Sequence, residues 1–229
     1  MIPTEALVVL ANAAGGYLLG SVPFGWVIGK ARGIDIREHG SKNIGATNCW
    51  RVCGWPFGLA AFILDVAKGF VPVFVAVRWL VPRIRPALGE EGTDAAFCWL
   101  IVTLVALGPL LGHIWPVWLR FKGGKAVATA LGVMLGLPML QLEAAGAFVL
   151  WGLVFVATGY VSVASTAAAV AFVSAYLCLA GARAWSEFLA VTALVLLVVA
   201  LVLVRHRSNY VRLWKGTENR FLWGKKREP

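Results

Sequence analysis

Long apolar segments alternate with short polar loops along the whole chain, and this pattern predicts membrane-spanning helices. A bilayer core about 30 Å thick requires roughly 20 apolar residues per helix. Six segments fit this requirement: 5–29, 55–80, 95–112, 141–158, 162–180 and 184–204. A seventh helix is expected from Lys125 to Leu137, but at 1.5 Å per residue it reaches only about 20 Å. The pattern therefore predicts an all-α, polytopic membrane protein with about seven transmembrane helices.

Composition supports this class and excludes an ordinary soluble domain. The 229 residues are 60% hydrophobic and only 14% charged, with a mean hydropathy of +0.79. No polar block is long enough for a separate soluble core, so we expect one integral membrane domain over 1–229, with a polar tail at about 205–229. The four cysteines form no CxxC pair, which indicates neither a disulfide framework nor a metal site.

The basic residues predict how the chain is oriented in the membrane. Loop 30–51 holds five Lys and Arg residues, loop 113–125 holds three and the tail holds eight, sixteen in all, whereas four lie in the opposite loops. Cytoplasmic loops carry the excess of Lys and Arg. We therefore expect the N-terminus outside, the C-terminus in the cytoplasm, and the net charge of +10 to serve orientation and anionic lipids, not nucleic acid.

A first polar cluster lies in the loop after residue 39, where small residues, hydroxyls and amides precede Arg51. Such a loop can surround an anion with backbone N–H groups, while a guanidinium grips phosphate with its planar fork. The alternative is a loop that only turns and caps the next helix. The candidate binding residues of this cluster are Ser41, Asn43, Thr47, Asn48 and Arg51.

A second cluster, Lys122-Gly123-Gly124-Lys125, follows His113 at the foot of an apolar segment. Glycines let backbone N–H groups turn toward one anion, and a helix that starts near Lys125 would add its positive dipole end. We therefore predict a phosphate cradle that extends to Thr129. The alternative is a flexible basic loop whose charges only set the orientation of the chain in the membrane. Ala126 stands where a Walker motif requires Ser or Thr, which disfavours an ATP-hydrolysing P-loop.

A third cluster follows the last apolar segment. If the helix continues, His206 and Asn209 are i, i+3 neighbours, and Arg205, Asn209 and Arg212 share a face, with Glu218 beyond. One face would then carry an imidazole, an amide and guanidiniums. The alternative is a group of basic residues that anchors the final helix.

Two further polar pairs lie inside apolar segments. Asp65 and Lys68 are i, i+3 neighbours at a depth where unpaired charges are costly, so we expect an ion pair that supports the site. Ser162 and Ser165 share one helical face, where they either contact a ligand or bond back to the preceding turn.

Together these segments resemble the bacterial acyl-phosphate:glycerol-3-phosphate acyltransferases, the PlsY family. The resemblance spans nearly the whole chain. It is carried in order by residues 20–25, 40–48, 64–69, 111–113, 121–129, 159–162 and 205–218. Two departures are Lys42 and Ala126, which occupy positions where the family usually has glycine.

The resemblance implies transfer of a fatty acyl group from acyl phosphate to the 1-hydroxyl of sn-glycerol 3-phosphate, which begins phospholipid synthesis at the inner membrane. It implies catalytic roles for Ser41, Arg51, His206 and Asn209. It further implies substrate binding and support by Asn43, Thr47, Asn48, Lys122, Gly123, Gly124, Lys125, Thr129, Ser162, Arg205 and Arg212, with Asp65, Lys68, His113 and Glu218. No cofactor or metal is implied. The partners implied are the two substrates, membrane lipids and an enzyme that produces acyl phosphate.

Two other functions would suit parts of this pattern. A transporter of a phosphorylated metabolite would need polar groups that continue toward the outer face, whereas the dense clusters here share one predicted side. A membrane scaffold would bind anionic lipid through its tail and have no turnover. In CoA-dependent acyltransferases a histidine is followed by an aspartate five positions later. None of His39, His113 and His206 has aspartate at that position, which disfavours acyl-CoA as donor.

Overall fold

The computed structural model describes residues 4–88 and 95–221, and regular structure in these residues is entirely helical. The predicted all-α fold is confirmed. The longer helices are α1 (Thr4–Gly20), α4 (Trp55–Val75), α6 (Ala95–Ile114), α8 (Gln141–Thr158), α9 (Val161–Ala180) and α10 (Leu189–Arg205). The shorter ones are α2 (Phe24–Ala31), α3 (Ala46–Cys53), α5 (Val81–Ile84), α7 (Val127–Gly136) and α11 (Arg207–Trp214). A π-helical turn, Ala76–Leu80, joins α4 to α5.

Five helical stretches in the described residues are long and apolar enough to cross a membrane. A sixth crossing results if α10 and α11, which are bent by 44° at His206, form one span. The predicted seventh helix is α7, whose ten residues reach only about 15 Å. The number of complete crossings and the sides of the two termini remain predictions, and tail residues 222–229 lie outside the described part.

The structure corrects three predicted helix boundaries. The first apolar segment is not one helix, because residues 21–23 separate α1 from α2; Pro23 disfavours helical backbone at the residue before it. The short helix begins at Val127, two residues later than predicted, because Ala126 adopts a left-handed conformation with φ of +60°. The last helix does not continue straight past Arg205, so α11 starts on a new axis.

The break between α1 and α2 is tied to the predicted ion pair. Lys68 Nζ lies 2.7 Å from Asp65 Oδ1, and both side chains are almost fully buried, which confirms the pairing. The same ammonium donates to the carbonyl of Val22 at 2.8 Å. A helix end leaves carbonyls without helical partners. Lys68 therefore neutralises a buried carboxylate and also satisfies the broken end of α1.

Close backbone contact places α7 beside α4. A Cβ on Gly132 would collide with the carbonyl of Val66, and one on Gly69 would collide with the carbonyl of Thr129. Small residues permit this approach between helices in a membrane. The contact fixes the start of α7, and with it Lys125, next to the polar centre of α4.

Both departures from the family's glycines have positive backbone φ: +58° at Lys42 and +60° at Ala126. This conformation costs an L-residue roughly 1–2 kcal/mol, while glycine adopts it freely. Gly→Ala changes at such sites therefore strain the folded chain, although glycine also adds entropy to the unfolded chain. The structure explains why glycine suits both positions.

We expect Lys42→Gly to raise the free energy of unfolding by about 0.5–1 kcal/mol, the strain relieved less the added entropy of the unfolded chain. The exposed Lys42 side chain makes the change local. Thermal unfolding of the purified variant in detergent measures it. A matched control is Lys215→Gly next to the end of α11, where φ is −79°; this change should not stabilise the protein.

Candidate active site

The three polar clusters meet in one cavity of about 380 Å³. The ends of α6 and α10 and the starts of α4, α7 and α9 surround it, so residues distant in sequence converge. The predicted site residues that line the cavity are Ser41, Asn43, Thr47, Asn48, Arg51, Asp65, His113, Lys125, Ser162, His206, Asn209 and Glu218. Ser165 lines it as well.

The first loop is organised by the buried amide of Asn48. Its Oδ1 accepts from the backbone N–H of Ser41 at 2.8 Å. Its Nδ2 donates to the carbonyls of Ile36, His39 and Asn43. Since these bonds use the whole amide, Asn48 shapes the loop. Ser41, Asn43 and Thr47 remain as the polar side chains of this loop at the cavity.

Lys125 is the one charged residue of the predicted cradle that lines the cavity, beside the small and apolar Ala126, Val127 and Ala128. Its Nζ donates to Asn209 Oδ1 at 2.5 Å. The amide of Asn209 in turn donates to Glu218 Oε1 at 2.6 Å. Arg212 Nε donates to Glu218 Oε2 at 2.7 Å. This chain of bonds fixes the amide orientation of Asn209 and holds the ammonium at the cavity wall.

The rest of the cradle supports this position. Arg205 donates to the carbonyls of Gly123 and Gly124, with the shortest bond 2.7 Å long. The N–H of Gly124 bonds to the carbonyl of His113, so it is not turned toward an anion as predicted. A Cβ on Gly124 would also collide with the His113 ring. The loop thus packs tightly on α6, and Lys122 points outward, exposed.

His113 and Thr129 form a buried pair beneath the cradle. Thr129 Oγ1 lies 2.9 Å from His113 Nδ1, and Asp65 Oδ1 lies 3.9 Å from the same nitrogen. Thr129 was predicted to bind substrate, but its hydroxyl is occupied by this contact and lies outside the cavity lining. The pair joins α6 to α7 under Lys125.

His206 sits at the bend between α10 and α11 and is only 1% exposed. Its Nδ1 lies 2.7 Å from the carbonyl of Val202, which can only accept, so Nδ1 carries the hydrogen. The neutral ring then has an unprotonated Nε2 as a proton acceptor. The helix bends by 44° at this residue, so the straight continuation considered from the sequence is wrong.

Residues 217–221, the closing segment, cross the polar end of the cavity. Arg51 Nη2 donates to the carbonyl of Asn219 at 3.0 Å, and its guanidinium lies 5.6 Å from the Phe221 ring centre. Phe221 N–H donates to the carbonyl of Gly159 at 2.8 Å. The predicted turn at Gly159 is confirmed, with φ of +73°. Only Glu218 of this segment was predicted from the sequence.

The other half of the cavity is apolar and was not predicted. It is lined by side chains from α4, α7, α8, α9 and α10, among them Leu59, Phe62, Leu131, Met134, Phe148, Trp151, Phe172 and Val198. An available signal was the spacing of Phe148, Trp151 and Phe155, which puts three aromatic rings on one face of α8.

Burial lowers the pKa of Lys125 to about 8, and the neighbouring guanidiniums of Arg212, Arg51 and Arg205 lower it further while Glu218 opposes them. The ammonium therefore titrates close to neutral pH. No group of His, Cys, Asp and Glu side chains in the described residues is arranged to hold a metal ion.

This fold and cavity define an integral membrane protein with a cationic chamber that continues into an apolar one. A family model described as glycerol-3-phosphate acyltransferase matches residues 10–216. The chain therefore belongs to the glycerol-3-phosphate acyltransferase family.

Individual relatives agree with this assignment along nearly their whole length. A glycerol-3-phosphate acyltransferase of Anaeromyxobacter sp. (strain Fw109-5) is 42% identical over 220 residues, which is 95% of this chain and 98% of the relative. That of Aquifex aeolicus (strain VF5) is 41% identical over 207 residues, 90% of this chain and 95% of the relative.

A solved structure supports the same family assignment. The crystal structure of PlsY, an integral membrane glycerol 3-phosphate acyltransferase, in its glycerol 3-phosphate form superposes with a TM-score of 0.79 at 36% identity. The match covers 94% of this chain and 96% of that one. The resemblance noted in the sequence is confirmed.

Proposed function

We propose that this acyltransferase moves a fatty acyl group from acyl phosphate to the 1-hydroxyl of sn-glycerol 3-phosphate, at the cytoplasmic face of the inner membrane. The observation that carries the proposal is the single cavity with one cationic end and one apolar end. An acyl phosphate has the same two halves, and glycerol 3-phosphate brings a second anion to the cationic end.

The cytoplasmic placement rests on charge. The polar end of the cavity lies at the end of the bundle that carries loop 30–51, loop 113–125 and the start of the tail, while Arg78, Arg83, Arg85 and Arg183 lie at the other end. The positive-inside rule assigns the first end to the cytoplasm. A soluble anionic acceptor reaches the site from that side.

The chemistry we propose is direct transfer. The 1-hydroxyl oxygen attacks the acyl carbonyl carbon, a C–O bond to glycerol forms, the C–O bond to phosphate breaks, and inorganic phosphate leaves. Acyl phosphate is a mixed anhydride and already activated, so no enzyme nucleophile is needed. Holding both reactants in one cavity supplies the effective concentration.

Charged and polar side chains then act on the phosphates and the developing oxyanion. Lys125 and Arg51 neutralise phosphate, and the Ser41 hydroxyl donates to the oxyanion. The hydroxyl proton goes to His206 Nε2 or to a substrate phosphate. The side-chain oxygen of Asn209 accepts from Lys125, and its amide nitrogen donates one hydrogen to Glu218. Asn209 therefore positions the ammonium, and its second amide hydrogen can bind substrate.

The donor requires a supply reaction. Acyl phosphates hydrolyse readily, so we propose a partner enzyme that forms the acyl–phosphate anhydride and delivers it at the same membrane face. The closing segment lies over the polar end of the cavity, which favours a donor with a phosphate head over one with a bulky nucleotide head such as acyl-CoA.

The test is to give the purified protein glycerol 3-phosphate with palmitoyl phosphate or, separately, with palmitoyl-CoA. We expect lysophosphatidate and inorganic phosphate in equal amounts from palmitoyl phosphate, and no product from palmitoyl-CoA. Product from palmitoyl-CoA alone would overturn the donor assignment. Uptake of labelled glycerol 3-phosphate into protein-loaded vesicles without acylation would favour a transporter.

We also expect kcat/KM for glycerol 3-phosphate to fall as pH rises through about 8, up to about tenfold per pH unit above it. The reason is that Lys125 loses its charge there, while the acceptor's phosphate, with a second pKa of about 6, stays dianionic. Initial rates at subsaturating acceptor from pH 6.5 to 9.5 measure this. Lys125→Arg, which stays charged, should flatten the profile; a similar fall in this variant would assign the titration to another group.

A further inference from the structure

The wall between α4 and α8 differs from the rest of the cavity. Of all the residues that line the cavity, Leu59 on α4 and Phe148 on α8 are the exposed ones, at 46% and 43%. They flank the same gap. The cavity and the surface of the protein are therefore separated there by a single layer of side chains.

That surface faces lipid. The neighbouring face of α8 carries Val149, Leu153 and Val156, each more than 60% exposed. Phe62 lies seven residues into α4, and Phe148 lies ten residues before the end of α8, about 10–15 Å from the helix ends that carry the polar site. In a hydrocarbon core about 30 Å thick this depth belongs to acyl chains, not to water.

Two stacked aromatic rings bridge α4 and α8 across this gap. The Phe62 and Phe148 ring centres are 5.7 Å apart with an interplanar angle of 15°, and one ring comes from each helix. Both residues line the cavity. The attraction between two such rings adds little beyond their burial, so the pair can open.

The rest of the aromatic face of α8 is fixed in place. Trp151 Nε1 donates to Ser165 Oγ on α9 at 3.1 Å, and its ring stacks on Phe155 at 5.0 Å between centres. Phe155 is buried and contacts Phe221 of the closing segment. These contacts hold the polar side of the wall. Phe148 also stacks on Trp151, with ring centres 6.3 Å apart and an interplanar angle of 11°, so it is the last ring of this row. The Phe62–Phe148 contact, which bridges α4 and α8, is therefore the one that must open.

We propose that the Phe62–Phe148 stack is a lateral gate through which the donor's acyl chain passes between the lipid core and the cavity, and that it makes the enzyme selective for acyl chain length. The inference rests on the proposed function. A long saturated chain reaches the gate and must part the rings, whereas the chain of butanoyl phosphate stays at the polar end. Opening the gate is then a step for long donors alone.

The decisive experiment fixes the gate shut. The double variant Phe62→Cys/Phe148→Cys is treated with a short, reducible bis-thiol cross-linker, and kcat/KM is measured with hexadecanoyl phosphate and butanoyl phosphate. We expect cross-linking to lower the ratio of the two values at least tenfold and reductant to restore it. Wild-type protein and each single variant, given the same reagent, control for the native cysteines.

A second variant needs no cross-linking. Phe148→Trp enlarges one ring of the stack and should lower the same ratio about three- to tenfold. Phe74→Trp is its matched control, because Phe74 is also an exposed ring stacked on a neighbour, Phe70, but lies outside the cavity lining. The control should leave the ratio at the wild-type value.

The outcomes separate the two proposals. If wild-type protein acylates with neither acyl phosphate, the proposed function fails and the gate fails with it. If wild-type protein uses both donors and the cross-linked variant keeps the wild-type ratio, or if the two cysteines never cross-link, the gate alone is wrong.

Discussion

Replacing Lys125 with alanine is expected to lower kcat/KM for glycerol 3-phosphate by about 10- to 100-fold. The ammonium is the one cation of the glycine loop at the cavity wall, and three other groups hold it there. A charge-assisted hydrogen bond to phosphate contributes about 1.5–3 kcal/mol, and each 1.4 kcal/mol is a factor of ten. Steady-state rates with saturating palmitoyl phosphate and varied acceptor measure the effect.

The matched control for this variant is Lys215→Ala. It removes the same charge from the same end of the bundle, but Lys215 is exposed and lies outside the cavity lining. We expect kcat/KM to change less than twofold. Equal losses in the two variants would mean that only the overall positive potential matters, and unchanged acceptor affinity in Lys125→Ala would remove Lys125 from the phosphate site.

Replacing Lys68 with methionine is expected to destabilise the protein by about 3–5 kcal/mol, because it leaves the Asp65 carboxylate buried without its counter-ion. It also removes the donor to the Val22 carbonyl at the break between α1 and α2. By the scaling for chains of this size, the unfolding temperature should fall by on the order of 10 °C. Thermal unfolding in detergent, followed by circular dichroism, measures the shift.

The double variant Asp65→Leu/Lys68→Met tests the cause. Replacing both partners of a buried ion pair by apolar residues of similar size is often nearly neutral. We therefore expect the double variant to regain most of the stability lost by Lys68→Met, even if the single variant folds too poorly to purify. A double variant no more stable than the single one would show that the bond from Lys68 to Val22, and not the ion pair, carries the effect.

Features governed by local chemistry could be predicted from the sequence. The length of the apolar segments predicted the six longer helices, and the cost of a buried charge predicted the Asp65–Lys68 pair. Gly159 predicted the turn between α8 and α9. The positions of Lys42 and Ala126 stood out as unusual, and their positive φ angles give the physical reason. The three polar clusters, which the charge pattern predicted on one side of the membrane, line one cavity.

Features that depend on which atoms meet in three dimensions could not be predicted. A Gly/Lys loop suggests backbone N–H groups around an anion, but here Arg205 binds the loop carbonyls and His113 takes the Gly124 N–H. The bend at His206 could not be predicted from residues 205–212. The apolar half of the cavity is formed from five helices, and within each helix those residues look like ordinary lipid-facing or core positions.

The central claim is that one cavity holds both substrates together, so that the acyl group passes directly between them. The most direct test is inhibition by a bisubstrate compound that joins a long-chain alkylphosphonate, in place of the acyl phosphate, to the 1-oxygen of glycerol 3-phosphate. One cavity predicts competitive inhibition against palmitoyl phosphate and also against glycerol 3-phosphate, with tighter binding than either substrate. Competition against only one of them, or none, would contradict the account.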